Sequence, residues 1–306
     1  MTPTPNPVRG ILLAIAAVSL FTAMQAFVKA ADRIPAGEMV FFRSFLAIPI
    51  IVAWLMWRKE LGIGLKIVNW RGHAVRAISG TMAMGLGFAG VRLLPLPDAT
   101  ALRFITPILI VLLAAMILGE RIRLVRISAV VAGLIGVVII LWPQLSMEAA
   151  EGAFLGAMLI LGSATAAAFS QIFIKSMAGK EHTASIVFWF SATASVLALF
   201  TAPFGWVWPN TTEWLMIAAL GFGGGFGQIL ITSSYRYADA GVIAPFTYVS
   251  MLWSVIIGFI FFDEIPTVQV LAGSALIIAA GVLIVLRERR LGKKTTAEGK
   301  VGAKGL

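Results

Sequence analysis

Gln25-Ala26-Phe27-Val28-Lys29 closes the first long apolar run of the chain, and Gln171-Ile172-Phe173-Ile174-Lys175 closes another such run 146 residues later. The same offset carries Gly10 onto Gly156, and Val40-Phe41 recur as Val187-Phe188 in the runs that follow. Further along, at an offset of 141, Gly80 maps to Gly221 and Asp98-Ala99 to Asp239-Ala240, while Glu120 finds its counterpart in Glu264. Each match alone is weak. Their shared order along the chain makes the second half a copy of the first.

Both copies are written for lipid. Of 306 residues 59% are hydrophobic and only 12% charged, with a mean hydropathy of +0.95, where a soluble domain carries roughly 25% charged residues. Apolar runs bounded by charge, Pro, Asn or Gly fall near 10–29, 36–57, 74–93, 96–118 and 124–142, then near 152–174, 184–203, 213–235, 241–262 and 267–286. Each has about the 20 residues a helix needs to cross a bilayer, and none alternates with the period of two that a membrane strand requires. The expectation is an all-α membrane protein of ten transmembrane helices. Residues 1–147 form a first five-helix repeat, 148–286 a second, and 287–306 a basic tail.

Orientation follows from the basic residues. Nineteen of the 24 Lys and Arg fall in the termini and loops of one side, among them Arg9, Arg58, Arg76, Arg121, Lys175 and the seven of the tail; Lys29, Arg33 and Arg92 fall on the other, and Arg43 and Arg103 lie inside spans. The bias places both termini in the cytoplasm. Five spans per repeat then force the second copy to enter the membrane upside down, and inverted repeats of this kind build a site that similar motions open to either side. The first run carries only a faint small-residue cleavage site at Lys29-Ala30-Ala31 and is expected to be retained as a span. The tail, RERRLGKKTTAEGKVGAKGL, has no periodicity; it is either a solvated tail or an anchor to the anionic inner leaflet.

Composition excludes other chemistries. Without cysteine there is no disulfide framework, thiolate metal site or Cys nucleophile, and two histidines, His73 and His182, make no multi-His metal site. No cofactor is expected. No GxxxxGK phosphate loop occurs, and the positive charges follow the loops instead of forming the stripe a nucleic acid needs. An intramembrane enzyme lacks a Ser–His or metal constellation at depth.

The paired QxFxK ends, Phe41-Phe42-Arg43 in the second span, and the run from Pro107 to Gly119-Glu120 (PILIVLLAAMILGE) resemble the EamA-type family of the drug/metabolite transporter superfamily. Phe262-Asp263-Glu264-Ile265-Pro266 resembles the second copy of the same helix end, departing from the family at Met251, which stands at the Pro107 position, and at Asp263, which replaces the usual Gly. The resemblance covers about residues 10–287. It implies a ten-helix fold around a central cavity that moves small metabolites, often amino acids or related compounds and often outward.

Interrupted helices in corresponding places of the two halves point to a transport site. Pro107 interrupts the fourth span and Pro245 the ninth, while Gly80 and Gly85 in the third span and Gly221 and Gly224 in the eighth serve either close helix packing or movement. The candidate substrate-binding residues are Gln25, Arg43, Arg103, Thr106, Gln171, Trp189, Tyr248, Ser250 and Trp253. Gln25 and Gln171 each require a partner, water or substrate in hydrocarbon. Arg43 and Arg103 face protein or a cavity, or snorkel to the surface. Trp54, Trp57, Trp206 and Trp208 sit at span ends as interface belts. Asp98, Glu120, Asp239, Asp263 and Glu264 lie at helix ends as caps and ion-pair partners, so the fixed charges at depth are positive and a substrate carboxylate is the natural guest. The expected function is a secondary transporter of the bacterial inner membrane, exporting a small metabolite by alternating access, with one chain sufficient. A lipid flippase or a channel of the same fold is the alternative.

Overall fold

The computed structural model describes residues 6–118, 124–145, 152–177, 181–238, 243–283 and 286. These form helices and the turns between them, without a β-sheet. In chain order they are α1 Pro7–Ala30, α2 Ala36–Trp57, a single turn α3 Leu61–Gly64, α4 Trp70–Leu93, α5 Leu96–Arg103, α6 Thr106–Leu118 and α7 Leu124–Leu141. The second half adds α8 Ala153–Met177, α9 Thr183–Leu199, α10 Thr211–Tyr237, α11 Val249–Phe262 and α12 Val268–Leu283. Helices α1, α2, α4, α8 and α10 are long and apolar enough to cross a membrane, and the remaining apolar helices are shorter.

Local chemistry sets the helix ends. The Asn6 and Asn69 side chains accept the amides of Arg9 and Gly72 at the starts of α1 and α4, and Asn210 forms a reciprocal capping box with Glu213 at the start of α10. At the end of α11, Asp263 adopts φ 53°, the left-handed conformation that glycine favours and a short polar side chain tolerates, and the Glu264 amide returns to the Gly258 carbonyl at 3.0 Å. The family's glycine is thus replaced by a residue that keeps the turn.

Two expected spans are discontinuous. The run 96–118 divides into α5 and α6 at Phe104-Ile105, because Pro107, in the first turn of α6, has no N–H for the Arg103 carbonyl; Thr106 Oγ1 donates to that carbonyl instead, at 2.7 Å. The run 241–262 begins as a 3₁₀ segment, Ala244–Tyr248, containing Pro245, before α11.

Helices of one half pack mainly on those of the other: α4 on α8, α2 on α9 and α10, α1 on α10 and α11. Lipid supplies no hydrophobic drive between helices, so small residues let backbones approach. A Cβ on Gly90 would lie 2.9 Å from the Gly156 carbonyl oxygen, and one on Gly273 would lie 2.6 Å from that of Gly136, locking α12 onto α7. Gly221 seats Leu46 and Gly225 seats Ile50 where α10 crosses α2.

Candidate substrate site

The buried polar groups gather where α1, α2, α4, α5, α8 and α9 meet. Arg103, on the last turn of α5, donates from Nη1 to Gln25 Oε1 on α1 at 2.6 Å, and Gln25 is buried. The guanidinium lies over Gly87 of α4 in the space a Cβ would take, a space that is also 2.9 Å from Ser163 Oγ of α8. Among the described residues its Nε has no partner. Ser163 donates to the Ala83 carbonyl at 2.6 Å, which fixes α8 against α4 beside the arginine.

A second cationic centre lies about two helical turns away along α4, at Gly80. Arg43 of α2 and Arg76 of α4 are each only 7% exposed. Their guanidinium carbons stand 6.0 Å and 3.9 Å from the centre of the Phe190 ring on α9. Arg76 folds over Gly80, whose missing Cβ would sit 2.7 Å from Phe190 and 3.2 Å from Ser170 Oγ, and Arg43 Nε lies against Gly224 of α10. Among the described residues the Nε atoms of both arginines lack partners and no ion pair joins Arg43, Arg76 or Arg103 to a carboxylate. Buried guanidinium groups at membrane depth are rare and ordinarily paired, so this arrangement is suited to receiving anions.

Carboxylates are spent instead at the two ends of the bundle. At the end holding the C-terminus of α1, Lys29 pairs with Glu264 at 2.5 Å and donates to the Leu94 carbonyl, while Glu264 accepts the Leu96 amide at 2.7 Å. Arg92 donates to the carbonyls of Val28, Ala31 and Ile34 there, and Glu38 accepts the Val207 amide. At the other end Glu181 accepts the amides of Val68 and Asn69 and stands 3.4 Å from His73 Nε2. Burial pushes the Glu181 carboxyl up, but those amides and His73 outweigh it and hold the group below its usual value.

The expected site residues divide accordingly. Gln25 and Arg103 are brought together and Arg43 is buried, with no snorkelling. Thr106 and Ser250 are engaged within their own helical turns, Ser250 donating to the Thr247 carbonyl at 2.8 Å. Tyr248 packs edge-on to Phe104 at 5.0 Å, with its hydroxyl over Gly281. Trp253 is half-buried with Nε1 unpartnered. Trp189 ties α9 to the turn after α3 by donating to the Leu65 carbonyl at 2.9 Å, and Gln171 is exposed. Gly80, Gly221 and Gly224 are close-contact positions, Gly85 has open space around it, and Pro107 opens α6. The side chain of Pro245 and residues Glu120 and Asp239 lie outside what the structure describes.

Arg76 is the residue the sequence reading misplaced. Counted among the cytoplasmic basic residues, it is buried beside Arg43. The available signal was its place one turn before Gly80, which lets the side chain fold back over the glycine.

A helical membrane bundle whose interior holds cations and whose carboxylates close its ends has the make-up of a solute carrier. The EamA-like transporter family matches residues 8–142 and, a second time, residues 154–286, and the chain belongs to that family. It is 30% identical over 280 residues to the pseudopaline exporter CntI of Pseudomonas aeruginosa, covering 90% of this chain and 95% of that one. It is 25% identical over 285 residues to an S-adenosylmethionine uptake transporter of Rickettsia prowazekii (93% and 94% covered), and 27% identical over 288 residues to a riboflavin transporter of Rhizobium johnstonii (93% and 92%). A crystal structure of 20% sequence identity shares the fold with a TM-score of 0.67, over 93% of this chain and 100% of that one. The chain is therefore a membrane-embedded small-molecule transporter and not an enzyme.

Proposed function

We propose that the chain is a secondary transporter of the bacterial inner membrane that exports a small carboxylate-bearing metabolite, such as an amino acid or related compound, by alternating access. Ten spans in two inverted five-helix repeats, with both termini cytoplasmic, provide the framework; the double family match supports the repeat, and the exporter among the relatives supports the direction. The observation that carries the reading is the Arg103–Gln25 pair at 2.6 Å, a partly buried cation held by a buried neutral amide, with a buried Nε left over. A carboxylate reaching the guanidinium gains charge-assisted hydrogen bonds, each worth about 1.5–3 kcal/mol. A lipid flippase is favoured less by the lateral crevice between α2, α4 and α9, about 280 Å³ and lined by Val40, Ile78, Met82 and Leu197, because it presents no charged group to a headgroup.

Counterflow in proteoliposomes tests the reading. Liposomes carrying the purified protein and preloaded with single amino acids and related acids should take up labelled compound saturably, and Arg103→Gln should lower that uptake by about 10–100-fold. Undiminished exchange in Arg103→Gln removes Arg103 from the site, and no exchange for any acid removes the carrier reading.

A further inference from the structure

We infer that the cargo carries two acidic groups about 10 Å apart, one bound at Arg103 and the other between Arg43 and Arg76; this deepens the carrier reading and rests on it. The inference comes from the register of α4 and α8. Gly80 faces Ser170 and Gly87 faces Ser163, so two glycine–serine notches recur seven residues apart on both helices. Seven residues are two turns, a rise of about 10 Å along one face. Each notch is filled by a guanidinium: Arg76 folds over the first and Arg103 reaches across the second.

Neither notch is electrically complete. Arg43 and Arg76 share the Phe190 ring, a quadrupole that attracts both cations, yet they repel one another. Among the described residues their buried Nε atoms have no acceptor, and neither has that of Arg103. A single carboxylate satisfies one centre and leaves the other exposed to its full desolvation. Two carboxylates at the ends of one extended solute satisfy both, and the rigid guanidinium fork suits a planar carboxylate in bidentate contact. Phe190 then sits against the charged end of the solute, and the glycines give each guanidinium the space in which it lies.

The test uses the purified full chain in detergent, with linear dicarboxylates of graded length and monocarboxylates of matching length as probes, binding being read by calorimetry. The wild type is expected to bind the best-matched diacid at least ~tenfold more tightly than its monoacid. In Arg76→Gln that preference should collapse toward unity, and Arg76→Lys should recover part of it. A wild type that binds diacids and monoacids equally overturns the inference, and so does a preference that survives Arg76→Gln with the variant folded by size-exclusion profile. The carrier reading fails by a different result, the absence of saturable counterflow of any acid in proteoliposomes, which leaves the binding preference standing.

Discussion

Gly87 controls the aim of Arg103, because the absent Cβ is the space the guanidinium occupies. An added methyl meets Arg103 Nη2, the far end of a flexible side chain, and so displaces the charge without forcing the backbone. Gly87→Ala is therefore expected to fold, with stability within about 1 kcal/mol of wild type, and to lose roughly tenfold or more of its counterflow. Transport unchanged in that variant would show that the guanidinium needs no fixed direction. Glu181 acts on stability instead. Its carboxyl is held below the usual value of 4.5, so its contribution is fully present above that pH and is lost as the pH falls through the depressed value. Glu181→Gln should unfold earlier at neutral pH by about 1–3 kcal/mol, and the gap to wild type should close under acid conditions below pH 4.5. A constant gap would mean that shape, and not charge, holds the Val68 and Asn69 amides.

At the scale of the element, the long apolar helices were legible because hydrophobic length is a local property, whereas the broken fourth and ninth runs hid behind continuous apolar composition. Pro107 marked the interruption, yet only the Thr106 hydroxyl on the Arg103 carbonyl shows how the freed acceptor is satisfied. The site was legible in part for the same reason. Arg103 and Gln25 stood out as polar residues in apolar runs, but Arg76 sits close enough to a span end to resemble a loop charge, and only the packing of α9 over it reveals its burial. Gln171 repeats Gln25 in sequence but is exposed. Glycines divide the same way. Gly273→Ala would drive a methyl to 2.6 Å from the Gly136 carbonyl oxygen and from Ile140 Cγ1, contacts a backbone cannot relieve, so α12 should part from α7 at about 1–3 kcal/mol. Gly85→Ala meets nothing within 4 Å and should leave unfolding unchanged. Equal effects in the two variants would refute packing as the role of Gly273.

For the whole molecule, the carboxylate contacts at the two ends divide the bundle into faces. Lys29–Glu264 binds α1 to α11 at one, and Glu181 with His73 binds the α8–α9 turn to α4 at the other. From the charge bias along the sequence we propose that the Lys29 face is outside and the Glu181 face cytoplasmic. That assignment is open to a direct test because the chain has no cysteine, so a single introduced thiol reports without background. Phe204 on the turn between α9 and α10 is 85% exposed, on the side of Val207 and Glu38, and Gly62 in α3 has open space around it on the other. In intact cells a membrane-impermeant maleimide should label Phe204→Cys at once and Gly62→Cys only after permeabilisation. The reverse pattern would invert the orientation and turn the proposed export into uptake for the same motion. Labelling of both from one side would place an even number of crossings between residues 62 and 204, where the inverted repeat requires five, and would remove the pseudo-two-fold relation on which the proposed alternating access around the buried arginines depends.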